Sequence, residues 1–124
     1  MDDDADYSRR VIGLVIEVHR HLGPGLLESA YEDCLCHELA LADIPHARQV
    51  VVPTTYKGVR VAAAYRLDVI VADVLIPEIK SVDRLLSIHE AQLLTYLRLS
   101  GLRTGLLLNF NHAFLKDGIK RLVI

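Results

Sequence analysis

Residues 65–80 constrain the fold of this chain more than any other stretch. They contain two strongly apolar runs, 69–71 and 74–76, whose β-branched and leucine side chains are typical of buried strands. Residues 72 and 73 predict a short turn between them. Three charged residues, Asp68, Glu78 and Lys80, lie within these strands. Because an unpaired buried charge is strongly destabilising, we expect the two carboxylates to have a partner, and a bound cation is the simplest one.

The spacing of these charges predicts one site. Glu78 and Lys80 lie two residues apart on a strand and therefore project from the same face, while Asp68 comes from the neighbouring strand. Hard divalent cations such as Mg²⁺ prefer carboxylate and water oxygens, and a phosphoryl substrate supplies further ligands. A nearby lysine can orient the attacking water or stabilise charge that develops on phosphorus.

An acid, a turn and an (Asp/Glu)-x-Lys unit resemble the site of the PD-(D/E)xK nuclease superfamily. The resemblance implies that Asp68 and Glu78 bind Mg²⁺ or Mn²⁺, with the Ile79 carbonyl beside them, and that Lys80 is catalytic. It implies a restriction-endonuclease-like core and a DNA or RNA substrate. The chain departs from the pattern at Leu67, which stands where the superfamily has proline.

Size and composition predict one globular domain. The chain has 124 residues, 52% of them hydrophobic, and no apolar run near the ~20 residues that span a bilayer. We expect residues 1–6 to be an acidic, disordered tail and residues 7–124 to be the domain. The acidic start is unlike a secretory signal, so a cytoplasmic protein is expected. A net charge of −2 argues against a strongly basic nucleic-acid coat, although it permits a local basic groove.

Two helices are predicted before the strands, over residues 7–22 and 26–42, separated by the helix breaker Gly23-Pro24-Gly25. Glu28 lies in the first turn of the second helix, where the helix dipole alone favours an acid. However, Gly25, Glu28 and Tyr31 form the signature Gly-x-x-Glu-x-x-Tyr. This signature resembles the GxxExxY proteins of the same superfamily and implies that Glu28 completes the metal shell. Its neighbours, Glu32 and Asp33, are expected to face solvent.

The rest of the chain predicts strands over residues 49–56, 59–71, 74–80 and 102–110 and a last one over 119–124. Pro53 indicates an edge strand or a bulge. Pro77 either marks a break that opens the site or argues against a strand there. With the helices, these strands predict an α/β (α+β) fold in which a mixed central sheet is flanked by helices.

A third helix is predicted over residues 88–100, with Ser87 as N-cap and Glu90 completing a capping box. Its residues His89, Gln92 and Tyr96 lie on one side. They are either a half-buried, hydrogen-bonded seam or part of a binding site. The unit Gln-x-x-x-Tyr resembles the exonuclease-like branch of the superfamily, which implies that Gln92 and Tyr96 position substrate. The residues assigned to substrate binding are Gln92, Tyr96, Tyr31, His89 and Arg66.

Two hypotheses follow. The first is a divalent-metal-dependent nuclease that hydrolyses phosphodiester bonds in DNA or RNA. The second is an inactive nuclease-like scaffold that acts as a binding or self-assembling homo-oligomeric module. Seven cations could border the site, although a scattered solvated surface accounts for most of them: Lys57, Arg60, Arg66, Arg84, Lys116, Lys120 and Arg121.

Overall fold

The fold is a five-stranded mixed sheet between helices. The computed structural model describes residues 3–124. The helices are α1 (Asp3–Leu22), α2 (Glu28–Leu41) and α3 (Ser87–Ser100), and a 3₁₀ turn covers Leu115–Gly118. The strands are β1 (His46–Tyr56), β2 (Val59–Val71), β3 (Leu75–Lys80), β4 (Thr104–Asn109) and β5 (Ile119–Val123).

The strands lie in the order β1-β2-β3-β4-β5. β3 and β4 are parallel and are joined through α3, whereas every other neighbouring pair is antiparallel. This arrangement confirms the predicted α+β class with a mixed sheet. Within residues 3–124, none of the helices combines the length and the hydrophobicity needed to cross a bilayer.

Two apolar clusters fill the two faces of the sheet. Val11, Val15, Leu35 and Leu39, from α1 and α2, pack on one face, and Leu93 and Leu97 of α3 pack on the other. β3 contributes to both, because its side chains alternate between the faces and helices cover each of them. Leu75 and Ile79 belong to the first cluster, and Ile76 belongs to the second. The end of β3 that carries Glu78 and Lys80 therefore lies between the two apolar clusters.

The predicted tail is wrong for residues 3–6. They are helical, since α1 begins at Asp3, and the carboxylate of Asp4 accepts a 3.0 Å hydrogen bond from the Thr104 hydroxyl. The acidic residues lie at the positive end of the helix dipole, which favours helical structure there. Met1 and Asp2 lie outside the described residues.

The predicted capping box of α3 is also wrong. Ser87 is already helical, Leu86 is the N-cap, and the Leu86 amide donates a 2.9 Å hydrogen bond to Nδ1 of His89. Glu90 instead pairs with Lys120 of β5 at 2.8 Å. The N-cap amide is thus that of Leu86 and not that of Ser87, and a histidine nitrogen accepts its hydrogen bond in place of the predicted glutamate.

Pro53 lies at a bulge of an outer strand, as predicted. β1 is an edge of the sheet, and its register with β2 shifts between Val52 and Thr54. The turn at residues 72 and 73 is confirmed as well, because both have positive φ angles, 52° and 57°.

Gly118→Ala should destabilise the fold. A Cβ at this position would collide with the backbone carbonyl oxygen of Asn109 and would lie 2.7 Å from Cδ2 of His112. Overpacking of this kind costs about 1–3 kcal/mol, which urea unfolding would measure. The matched control is Gly13→Ala in α1, where a Cβ meets nothing within 4 Å, and it should stabilise the protein by up to about 1 kcal/mol. Equal stabilities of the two variants would contradict this packing.

Candidate active site

β3 directs Glu78 into the layer between the sheet and α3. Ile76 packs against Leu93 and Leu97 of α3, and Glu78, two residues further along the strand, projects from the same face. The Glu78 side chain is buried, with 9% of its surface exposed. Lys80, the next residue on this face, is half-buried at the end of the strand. The predicted strand and the shared face of Glu78 and Lys80 both agree with the structure.

The register of β2 and β3 relates Asp68 to Glu78. Val71 pairs with Leu75, and three residues further along each strand the same register would set Asp68 opposite Glu78. Pro77 lies within β3, so the proline does not exclude a strand here, although it donates no hydrogen bond to a neighbouring strand.

Asp68 marks the point where β2 changes the layer that it packs against. Leu67 belongs to the cluster under α3, whereas Val69 belongs to the cluster under α1 and α2, although residues two apart on a regular strand share a face. Gln49, which lies between the β2-paired residues Arg48 and Val50, has a positive φ of 55°. Distortions of this kind re-aim side chains next to functional sites.

Three charged side chains influence the pKa of Glu78. Burial raises its pKa to about 7, the ammonium of Lys80 opposes this rise, and the carboxylates of Asp68 and Glu28 add to it. Asp68, Glu28 and Lys80 therefore all act on one buried carboxylate. Among residues 3–124, neither Glu78 nor Lys80 has an ion-pair partner within 4 Å. In the part of the chain that the structure describes, Glu78 is therefore a buried carboxylate without a direct ion pair.

Glu28 reaches this end of β3 from the opposite side of the sheet. It is the first residue of α2 and is exposed, and its Oε2 accepts a 3.2 Å hydrogen bond from the backbone amide of Ser81. The Ser81 hydroxyl donates to the Leu26 carbonyl at 2.7 Å. These two bonds hold the residue after Lys80 against the start of α2.

Tyr31 does not line the site, in contrast to its assignment to substrate binding. Its side chain has no exposed surface and stacks on Phe110 at 4.2 Å. Its hydroxyl donates to the Gly23 carbonyl at 2.6 Å and accepts from the Leu26 amide at 3.1 Å. The tyrosine of the signature therefore fastens the loop before α2, because all of its surface is used inside the fold.

Gln92 and Tyr96 of α3 lie beside the carboxylates. Burial raises the pKa of Tyr96, the charges of Glu78 and Asp68 raise it further, and a hydrogen bond with Gln92 opposes the rise. The ring of Tyr96 stacks on Tyr65 of β2 at 4.8 Å with an interplanar angle of 2°. His89, the third member of the predicted seam, uses Nδ1 to cap the helix.

Arg66 is exposed on β2, two residues before Asp68. Glu32, expected to face solvent, is instead buried and accepts hydrogen bonds from Arg48 at 2.6 and 3.0 Å. This expectation failed because the partner of Glu32 comes from β1, which contributes the charge that makes burial tolerable.

No sequence pattern pointed to Gln49 as part of the site. Its Nε2 lies 3.3 Å from Oε2 of Glu32 and 3.5 Å from Oδ1 of Asp68, so it links the Glu32–Arg48 ion pair to the candidate metal ligand. Tyr65, which stacks on Tyr96, was missed for the same reason. An isolated polar residue in a strand does not reveal which partner the fold brings to it.

The donors at this site fit a divalent cation that keeps open coordination positions. Within the described part of the chain, no three histidine, cysteine or acidic side chains are grouped closely enough to hold a metal ion. Mg²⁺ is commonly bound by one or two carboxylates, with water and substrate phosphate completing the shell. Asp68 and Glu78 supply two carboxylates, the Ile79 carbonyl is adjacent in sequence, and the buried Glu78 lacks a cation. This chemistry suits such an ion.

The free energy of unfolding of the metal-free protein should fall as pH rises from about 4.5 to about 7, because folded Glu78 keeps a proton that the unfolded chain has released. Glu78→Gln should remove this loss and stabilise the protein at pH 8 by up to about 3 kcal/mol, with little gain at pH 4.5. Urea unfolding with a chelator present would measure both. Glu38→Gln, on α2, is the control. An equal gain at both pH values would contradict the buried-carboxylate explanation.

Comparison with known proteins agrees with this geometry. A family model described as the PD-(D/E)XK nuclease superfamily matches residues 5–122, nearly the whole chain. Searches of curated proteins and of solved structures give no significant match. The mixed sheet with helices on both faces is consistent with the restriction-endonuclease-like fold. The chain therefore belongs to the PD-(D/E)XK nuclease superfamily.

Proposed function

We propose that this protein is a divalent-metal-dependent nuclease that hydrolyses phosphodiester bonds in nucleic acid. One observation carries the proposal: Glu78 is buried and has a raised pKa, and it is influenced by Asp68 and Lys80 without an ion pair. Superfamily membership supports the same chemistry. We assign its acid and its (Asp/Glu)-x-Lys unit to Asp68, Glu78 and Lys80.

In this proposal Asp68, Glu78 and the Ile79 carbonyl would hold Mg²⁺ or Mn²⁺ directly, and Glu28 would contribute from the start of α2 through a bound water. The ion supplies Lewis acidity toward a phosphoryl oxygen. Lys80, next to Glu78 on the same face, orients the attacking water or stabilises charge on the phosphorus oxygens. The exposed guanidinium of Arg66 and the side chains of Gln92 and Tyr96 position the phosphodiester.

We also assign the chain to the GxxExxY proteins within the superfamily. Each of the three signature residues has a distinct structural role. Gly25 has a φ of 94° in the loop before α2, Glu28 binds the Ser81 amide, and Tyr31 fastens the loop from inside. We infer that the signature is a brace between the start of α2 and the end of β3, which positions Glu28 near the metal.

A second candidate function is an inactive scaffold that binds partners or self-assembles as a homo-oligomer. It is favoured by the absence, over residues 3–124, of three metal-competent side chains in one group. The outer strand β1, with Val51 exposed, also offers an edge for pairing. A protein that binds no Mn²⁺ and elutes as a large assembly from a sizing column would fit this function.

Lys80→Ala should reduce Mn²⁺-dependent cleavage of nucleic acid by about 10²–10⁴-fold, because it removes a charge that acts at the reacting phosphate. A time course on labelled DNA and RNA substrates would measure the rates. Arg103→Ala, which removes an exposed cation at the opposite end of the sheet, just before β4, is the control and should cleave at the wild-type rate. Unchanged cleavage by the Lys80 variant would refute the assigned mechanism.

Asp68→Asn should weaken Mn²⁺ binding at least about tenfold, since an amide lacks the charge of a carboxylate ligand. Titration calorimetry of the variant and the wild type at pH 8 would give both affinities without depending on turnover. Asp117→Asn, which changes an exposed acid in the 3₁₀ turn, should bind Mn²⁺ as the wild type does. Equal affinities of all three proteins would exclude Asp68 as a ligand.

A further inference from the structure

The β1–β2 hairpin extends well past the end of β3 that carries the site. Val71 pairs with Leu75, the first residue of β3, and β3 has 6 residues whereas β2 has 13, so residues 59–65 of β2 extend past the length of β3. At about 3.3 Å per residue this overhang is roughly 20 Å long. We call residues 53–64 the arm.

The arm is exposed on both faces. Residues 55–64 are all exposed, in contrast to the buried or half-buried residues 67–71 of the same strand. The arm turns at Lys57 and Gly58, which both have positive φ angles of 48° and 80°. At its base, Tyr65 stacks on Tyr96 and donates a 3.2 Å hydrogen bond to the Tyr96 carbonyl. The base of the arm is thus held against α3 beside the candidate active site, and the rest of the arm is exposed.

The part of the hairpin before Asp68 carries charge of one sign. Residues 44–67 contain no acid, although the whole chain has a net charge of −2. Arg48 is neutralised by Glu32 and Asp33 of α2. In the described part of the chain, none of the three other cations of the hairpin is in an ion pair. These are Lys57, Arg60 and Arg66.

The two faces of the arm differ in chemistry. Tyr56 pairs with Val59, and Thr54 pairs with Val61, so these side chains share an apolar face. Arg60 pairs with Thr55 on the other face, and Lys57 lies at the tip, 5.5 Å from the Tyr56 ring. The unpaired cations of the arm can contact the phosphate backbones on either side of a nucleic-acid groove, and the apolar face of the arm can contact the base edges inside that groove.

Resting on the proposed nuclease function, we propose that the arm inserts into the major groove of duplex DNA that is bound at the site. This groove, about 12 Å wide, admits a two-stranded β-ribbon, while the major groove of an RNA duplex is too narrow. Lys57 and Arg60 contact phosphates, and the apolar face contacts base edges such as thymine methyl groups. The arm gives the protein a preference for duplex DNA.

Fluorescence anisotropy with a 20-base-pair DNA duplex, in EDTA so that no cleavage occurs, tests this surface. Lys57→Gln/Arg60→Gln should weaken binding about tenfold at 0.1 M salt and lower the slope of log K against log salt by about 2. The control is Arg98→Gln/Arg103→Gln, which makes the same charge change on exposed residues at the other end of α3 and the start of β4. It should retain wild-type affinity and slope.

Four outcomes would overturn the proposal. In the anisotropy experiment these are wild-type affinity of the arm variant and an equal loss of affinity in the control. The third is a wild-type protein that binds single-stranded DNA or duplex RNA as tightly as duplex DNA, and the fourth is a wild-type dimer on analytical ultracentrifugation that the arm substitutions dissociate. The last would make a second copy the occupant of the arm. Failure of the nuclease function is separate, because a wild-type protein that shows arm-dependent binding but no Mn²⁺-dependent cleavage would refute only catalysis.

Discussion

The burial of the Glu78 carboxylate is the constraint on which the site depends. Packing layers on both faces of β3 remove water from this strand, which raises the pKa of Glu78 to about 7. Burial without a close counterion disfavours the charged form, so the site is more compatible with a proton or an external cation than with an isolated carboxylate. The same dryness would strengthen electrostatic interactions with a phosphoryl group.

Topology brings residues from distant parts of the chain to this carboxylate. The parallel pairing of β3 with β4 requires a crossover, and α3 supplies it, so Gln92 and Tyr96 come to lie over the face that carries Glu78. α2 lies on the opposite face and presents Glu28 to the amide that follows Lys80. The site is therefore assembled from both helical layers at the end of one short strand.

Several polar residues near the site support it through hydrogen bonds within the fold. Tyr31 fastens the loop before α2, and Asn109 is buried and binds both the amide and the carbonyl of Val82. Gln49 connects the Glu32–Arg48 pair to Asp68. Among the described residues, every fully buried side-chain nitrogen or oxygen has a hydrogen-bond partner. Such satisfied networks hold side chains in one arrangement, which a preorganised site requires.

The sequence by itself determined the order of helices and strands, the turn at residues 72 and 73, and the common face of Glu78 and Lys80, because periodicity and turn chemistry are local. Only the tertiary structure decided that Tyr31 is internal, that Arg48 neutralises Glu32, that His89 caps α3, and that β2 changes layers at Asp68. Each of these depends on which distant residue arrives as a neighbour. Burial and charge pairing are properties of the assembled layers, so no local pattern could have specified them.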